Sequence, residues 1–402
     1  MDYMHNMRDR SGSYGSTHQN HSYYHNESPA MSASSDEEIE VCDSPGAGNW
    51  PESYISPWLD QFPYHASTSL ELDVNSDVLR LLSRGSQQYG VVNIKQSNEV
   101  GDTVRVDVVV GYYCEEILNR ATVCKLKRGE SDHGIEIFTP TVTSGFLTPR
   151  DQLGFDVTFT LPDTDKESLN IKEFDTQTSF YGYKLDQLSK VLFKKISLKT
   201  SNACISVEAI VAEVGSFETS NSNIEGHFNA TSSLTLRTSN GPIIGVVDIS
   251  NDPTSGTESA VVLKTSNSRI NTSIKLASTN GTHGLFKVDA TTANGAVDLS
   301  YADSPVDSTL KCNAHSSNSR VDIRMHQAFE GAFGVSTSNS HASVERLDKE
   351  DPSGKGRRRI VDLTRNRFGS QVSGNVYWQD GSHRGSGFVK VSTSNGAAKL
   401  TL

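Results

Sequence analysis

No stretch of this 402-residue chain approaches the roughly 18 consecutive apolar residues that a membrane-spanning helix needs. The opening "MDYMHNMRDRSGSYGS" also lacks the apolar segment of a secretory signal. A transmembrane segment and classical secretion are therefore not expected. The chain reads as cytoplasmic or otherwise intracellular, with unconventional export to the cell surface as the alternative. Cysteine is scarce too: Cys42, Cys114, Cys124, Cys204 and Cys312 are scattered without a C-x-x-C pair, which argues against a disulfide framework or a zinc site and suits a reducing compartment.

Positive charge is also short. The net charge is -11, and residues 1–70 hold ten acidic side chains against Arg8 and Arg10, so most of the imbalance sits in that head. The near-neutral remainder offers no basic face that could release counterions from phosphates, and no nucleic-acid partner is expected. The one basic cluster, Lys355 with Arg357, Arg358 and Arg359, reads as a solvated loop, with a localisation signal or anionic-lipid patch as the alternative. No G-x-S-x-G elbow, H-E-x-x-H, G-x-x-x-x-G-K-[ST] or helix-opening G-x-G-x-x-G occurs. No catalytic, cofactor-binding or metal-ligating residue is assigned on that basis.

What the chain has in abundance is Ser, Thr, Asn and Gly, with apolar residues at only 35%, a balance that favours a turn-rich β protein over a helical enzyme. Residues 1–70, rich in Ser, His, Asn, Tyr and acid, lack the periodicity that buries a core and are expected to be disordered. Within them Ser34 and Ser35 precede an acidic run and are candidate phosphorylation sites for an acid-directed kinase. The aromatic segment Asn49 to Tyr64 has the spacing of a short docking element, on the chain's own body or on a partner. "SDVLRLLSRGSQQYG", from Ser76 to Gly90, predicts a short helix capped by Ser76. From Gly90 to Asp165 the pattern alternates apolar and polar, which predicts strands. "LDQLSKVLF", from Leu185 to Phe193, fits a helical turn or a strand.

From Ile196 on, eight copies of one phrase align on Asn202, Asn221, Asn240, Asn267, Asn294, Asn318, Asn339 and Asn395. Four positions before each asparagine stands an apolar residue (Leu198, Phe217, Leu236, Leu263, Ala290, Ala314, Val335, Val391), and two before it a hydroxyl. Three after it the chain is apolar again (Ile205, Ile224, Ile243, Ile270, Val297, Val321, Ala342, Ala398). Each repeat is thus strand, corner, strand. A corner written Asn-Gly or Asn-Ser predicts a left-handed backbone at the asparagine. One such unit cannot close its own apolar face, so the expected fold is all-β: a parallel β-solenoid (β-helix) over 196–402, preceded by a strand-rich part over 71–195 and the head at 1–70. The long last interval, from Asn339 to Asn395, predicts a degenerate repeat around Ser370 to Trp378.

The "TSNG" or "TSNS" phrase with its following apolar position, preceded by a strand block ending in "FDVTFTLP", resembles the putative-adhesin family of bacterial and fungal proteins, over roughly residues 85–402. The resemblance implies a β-solenoid that serves as a structural or surface-interaction module, with no catalytic residues to carry over. The expected function is accordingly non-catalytic: an adhesin-like surface presenting Ser, Thr and Asn ladders to a protein or glycan.

The rival class is a carbohydrate-active β-helix enzyme of the lyase or hydrolase type. Its candidate residues are Asp298, Asp322 and Arg324 just after corners, and a register column of Arg269, Arg320 and His341 two positions after the asparagine. That register elsewhere holds Asn223, Pro242, Ala296 and Ala397, as an unconstrained solvent position would. His315 and His326 flank a strand with Asp322 and read as surface residues. The turns carry Ser and Asn where calcium-binding β-helix repeats need Asp, so no calcium site is expected.

Overall fold

A computed structural model describes the backbone of residues 38–43 and the whole of residues 57–141, 148–379 and 387–402. Within these limits the chain is all-β, with one four-residue helix, Glu115–Leu118, and two short 3-10 turns, Pro57–Gln61 and Pro149–Asp151. Most strands belong to one large, mostly parallel system.

Alternating strands have one dry face, and here each repeat covers that face by stacking on the next in register. Before the corners, Leu198 pairs Phe217, Phe217 pairs Leu236, Leu236 pairs Leu263, and Leu263 pairs Ala290, all in parallel. After the corners, Ile205, Ile224, Ile243, Ile270, Val297 and Val321 follow one another in the same way. These residues have almost no solvent exposure, and a fully buried Leu or Ile contributes about 2 kcal/mol. The stacked apolar columns are therefore the main stabilising element of the repeats.

Among the corner repeats, spatial order departs from chain order at one place. The strand Gly387–Thr393 pairs in parallel with Thr309–Ser316 on one side and Gly331–Thr337 on the other. Likewise Ala398–Thr401 lies between Val321–Arg324 and Ala342–Glu345. The Asn395 rung is thus inserted between the Asn318 and Asn339 rungs. The degenerate repeat expected around Ser370 to Trp378 is instead the strand Gln371–Trp378, which pairs antiparallel with Gly331–Thr337 and with Arg359–Arg365 and so ends that side of the stack.

The corner conformation also differs from expectation. Among the described residues the non-glycine positions with positive φ are His283 and Asp307, so all eight corner asparagines, and Gly241, Gly295 and Gly396 beside them, avoid the left-handed region. The corner turns through hydrogen bonds along the stack instead. In most rungs the carbonyl preceding one asparagine accepts two N–H groups from the next rung, as Ser239 does from Ser266 and Asn267 at 3.0 and 2.9 Å. The asparagine side chains then form one chain of amides: Nδ2 of Asn221 donates to Oδ1 of Asn202, and the pattern continues through Asn240, Asn267, Asn294, Asn318, Asn395 and Asn339 at 2.6–2.8 Å. Asparagine is required here for its side chain.

The hydroxyl two positions before the asparagine is buried in every rung (Thr200, Thr219, Thr238, Thr265, Thr292, Ser316, Thr337, Thr393). In seven of the eight rungs it donates to the carbonyl that follows the neighbouring rung's asparagine, as Thr238 Oγ1 does to Ser222 at 3.0 Å. The Thr ladder is therefore internal and is not presented to a partner. After the asparagine, glycine alternates with serine in spatial order: Ser222, Gly241, Ser268, Gly295, Ser319, Gly396, Ser340. A Cβ on Gly241 or Gly295 would lie 1.7 Å from the carbonyl oxygen of the preceding serine, so the close approach excludes any larger residue there.

The first part of the chain is stacked as well. Tyr181–Lys199 pairs in parallel with Gln88–Val100 and with Leu169–Gln177, so parallel pairing continues across residue 195 without a break. The helix expected over Ser76 to Gly90 is not formed: Val78–Arg84 is a strand flanked by parallel partners on both sides, and Ser76 hydrogen-bonds Asp73 and His133. Leu185 to Phe193 lies within the strand Tyr181–Lys199. Ordered structure begins before residue 70, with Glu38–Asp43, Pro57–Gln61 and Tyr64–Asp73. Ser34 and Ser35 lie outside the described residues. Cys124 is disulfide-bonded and stands opposite Cys42 in the Cα register, while Cys114, Cys204 and Cys312 are free. The sequence pattern, which indicates no disulfide framework, does not reveal this bond.

The amide ladder makes a discriminating prediction. Asn267→Ala, Asn267→Val and Asn267→Gly each remove two amide hydrogen bonds and should destabilise by about 1 kcal/mol, with glycine the worst through its backbone entropy. Urea unfolding measures this; a glycine variant as stable as the parent would restore the left-handed corner. Gly241→Ala should cost about 2 kcal/mol or more through its backbone clash, whereas Ser222→Gly should cost far less.

Candidate functional site

The strands that leave the corners turn one face inward and one to solvent. On the outer face the first column runs Asn271, Asp298, Asp322, Lys399 on successive rungs, and two residues further along the strands runs Ser273, Ser300, Arg324, Thr401. Neighbouring rungs are about 4.8 Å apart, so side chains in one column touch. Between these columns lies an open recess of about 290 Å³ lined by Asn271, Asp298, Leu299, Ser300, Arg320, Asp322 and Arg324.

The two carboxylates in it differ. Asp298 is fully engaged: Nη2 of Arg320, reaching from its corner, donates to Oδ1 at 3.1 Å and Oδ2 at 3.0 Å. Asp322 is not, because its Oδ1 is shielded from water and has no hydrogen-bond partner among the described residues. Arg324 is exposed and makes no hydrogen bond or ion pair with described residues. At the recess edge Lys399 bonds Glu345 at 2.8 Å, which lowers the Glu345 carboxyl and raises the Lys399 amine, with Asp322 adding to the latter. The recess thus presents a guanidinium and a carboxylate that do not satisfy each other.

Of the residues singled out from the sequence, Asp298, Asp322, Arg320 and Arg324 come together here. Arg269 and His341 do not. They share the Arg320 column, but Ala296 lies between Arg269 and Arg320 and Ala397 between Arg320 and His341, so the three stand on alternate rungs about 10 Å apart. His315 is engaged with Ser392 at 3.0 Å. His326 Nδ1 accepts the Ala328 N–H at 3.2 Å, and burial holds its pKa below the usual histidine value. Asn271, Ser300 and Lys399 were missed; the signal for them is the rung register itself, which for Lys399 requires knowing where the Asn395 rung inserts.

The basic cluster is only partly a solvated loop. Lys355 and Arg358 are exposed, but Arg357 and Arg359 lie over the buried Trp378 ring at 5.9 and 5.7 Å. Arg357 also grips Asp351 at 2.9 and 3.1 Å, which together with backbone N–H groups of Arg357 and Ser353 holds that carboxyl far below the ordinary carboxylate range. Burial lowers Arg359 to about 10, with Glu330 opposing the shift. The part of the aromatic segment that is described docks on the chain itself: Leu59 and Phe62 pack with Val109, flanked by Trp58, Tyr89 and Tyr113, and Trp58 Nε1 donates to Asp156 at 3.2 Å.

No helix among the described residues is long and apolar enough to cross a membrane, and no group of three or more His, Cys, Asp or Glu among them could hold a metal ion. No family model matches the sequence, and no curated protein matches it. A solved structure from Clostridium sporogenes ATCC 15579, that of a "putative cell adhesion protein", aligns over 83% of this chain and 99% of its own at 10% identity and a TM-score of 0.17, a likeness too distant to carry an argument.

Asp351 provides a pH test. Its folded pKa is depressed, so the Arg357 pair stabilises above the unfolded carboxylate value of about 3.9 and that contribution is lost as pH falls toward the folded value. Asp351→Asn should melt lower than the parent at pH 7, and the gap should narrow between about pH 4 and pH 2. A gap that stays constant across this range would exclude a charge contribution from the pair.

Proposed function

We propose that the chain is a β-solenoid that acts without catalysis, as an adhesin-like interaction module whose binding surface is the outer sheet face around the Asp298–Asp322 recess. The observation that carries this reading is the continuous corner chain of amides. It holds neighbouring rungs in one register, so a fixed pattern of polar side chains projects from a stiff face. The presented groups are the exposed Asn and Ser of the corner and the columns beside them, the Thr ladder being internal. Parallel stacking across residue 195 supports treating residues 71–195 and 196–402 as one continuous array. A protein or a glycan is the kind of partner such a face suits, since its sheet backbone is already paired and recognition falls to side chains.

The enzyme reading has one observation in its favour, the two aspartates on adjacent rungs in a recess with two arginines. Against it stands Asp298, whose oxygens are both held by Arg320 and are poorly placed to take or give a proton. Incubation of the chain with acidic and neutral polysaccharides, followed for new reducing ends and for unsaturated products, should give no turnover. Turnover that Asp322→Asn abolishes would replace the binding reading with an enzymatic one.

A further inference from the structure

We propose that the recess takes one hexuronate unit of a weakly anionic polysaccharide lying along the stack, with Arg324 meeting its carboxylate and Asp322 accepting from a ring hydroxyl. This deepens the reading of the sheet face as a binding surface and rests on it.

The chemistry follows from which groups are left over. The recess lies on the face of a sheet whose backbone groups are consumed in parallel ladders, so a peptide cannot add there as a strand. Its lining residues are polar or charged apart from Leu299, which is itself buried in the core, so the recess offers polar side chains for recognition. Two groups remain open: the Arg324 guanidinium is an exposed fork of donors that makes no hydrogen bond with described residues, its charge acting on the nearby Glu345, and Asp322 keeps Oδ2 as an acceptor without a described partner, its Oδ1 being closed off. A ligand that satisfies both must carry an acid and a hydroxyl donor a few ångströms apart on a small rigid body. A sugar ring bearing a carboxylate does so, and the side chains of Asn271 and Ser300 can serve its remaining hydroxyls as donor or acceptor.

Charge sets the upper limit on how acidic the polymer can be. Asp298 and Asp322 occupy adjacent positions in the same column, which opposes a densely sulfated or phosphorylated chain. The open recess and the stack axis suggest a polymer over a free sugar: Arg269, exposed and without a described partner, stands two rungs from Arg320 and continues the cationic row along the axis.

The test is equilibrium binding of the full chain to polygalacturonate, neutral galactan, heparin and free galacturonate at low salt. Polygalacturonate should bind, with free galacturonate weaker and galactan and heparin weaker still. Arg324→Ala should weaken polygalacturonate roughly tenfold or more, Arg324→Lys should recover part of the loss, and Asp322→Asn should weaken it several-fold. Arg324 is at the surface, so the thermal melts of its variants should match the parent, and an unchanged melt with unchanged binding in Arg324→Ala would overturn the site. Tighter binding to galactan or to heparin would overturn the ligand class while leaving the face a binding surface. Binding to none of the four glycans, with an acidic peptide bound instead, would likewise overturn it. Cleavage of the polymer would overturn the non-catalytic reading and leave the Arg324 contact standing.

Discussion

The structure depends on the fact that a corner cannot satisfy its own polar groups. Where the chain turns, two N–H groups and a threonine hydroxyl point along the stack, and their acceptors belong to the adjacent rung. A buried unpaired group would cost about 1–3 kcal/mol, so each rung is stable only with another of the same register beneath it. This requirement is what makes the phrase recur. It also accounts for the alternation of glycine and serine after the asparagine, because a corner that sits closest to the carbonyl below has no room for a side chain. The apolar columns supply most of the stabilising burial, but burial is nondirectional; the corner bonds fix the register.

That same rule explains the inserted rung. In chain order the alternation breaks, since Ser319 is followed by Ser340 and only later by Gly396; in spatial order it holds, as Ser319, Gly396, Ser340. The next position behaves alike, with Arg320, Ala397 and His341. The insertion was therefore written in the sequence, as a two-rung period that a reading rung by rung does not detect. The apolar columns and the parallel stacking were legible because burial at fixed offsets from one asparagine leaves few other arrangements. The corner conformation was not, because Asn-Gly and Asn-Ser serve a left-handed turn and an amide ladder equally well in one copy. Only the stacked neighbours decide between them.

Tertiary pairing likewise overrode local pattern near the start. Leu79, Leu81 and Leu82 have nearly helical spacing, yet Leu79 and Leu81 are fully buried on one face of a strand bordered on both sides. A seven-residue segment with only four apolar positions cannot be assigned by periodicity alone. In the site, the sequence singled out Asp298, Asp322, Arg320 and Arg324 as candidates of the rival class, and the structure brings the four together. Their grouping required the register, which placed Arg269 and His341 on alternate rungs and left Arg320 beside Asp298.

A stacked protein of this kind separates its structural residues from its solvent-facing ones by position. Inward residues and the corner phrase are held nearly constant, because a change in one rung is felt by both neighbours. The outer columns carry no such constraint, and they vary freely from Asn271 to Asp298, Asp322 and Lys399. The face therefore carries an ordered set of unlike side chains on an invariant spacing of about 4.8 Å. A column of like charges would repel itself, so an acidic pair is tolerated only where a neighbour compensates it, as Arg320 does for Asp298 and Lys399 does beside Asp322. At this place Arg324 acts on Glu345 through its charge alone, and Asp322 keeps one oxygen without a hydrogen bond to the rest of the fold.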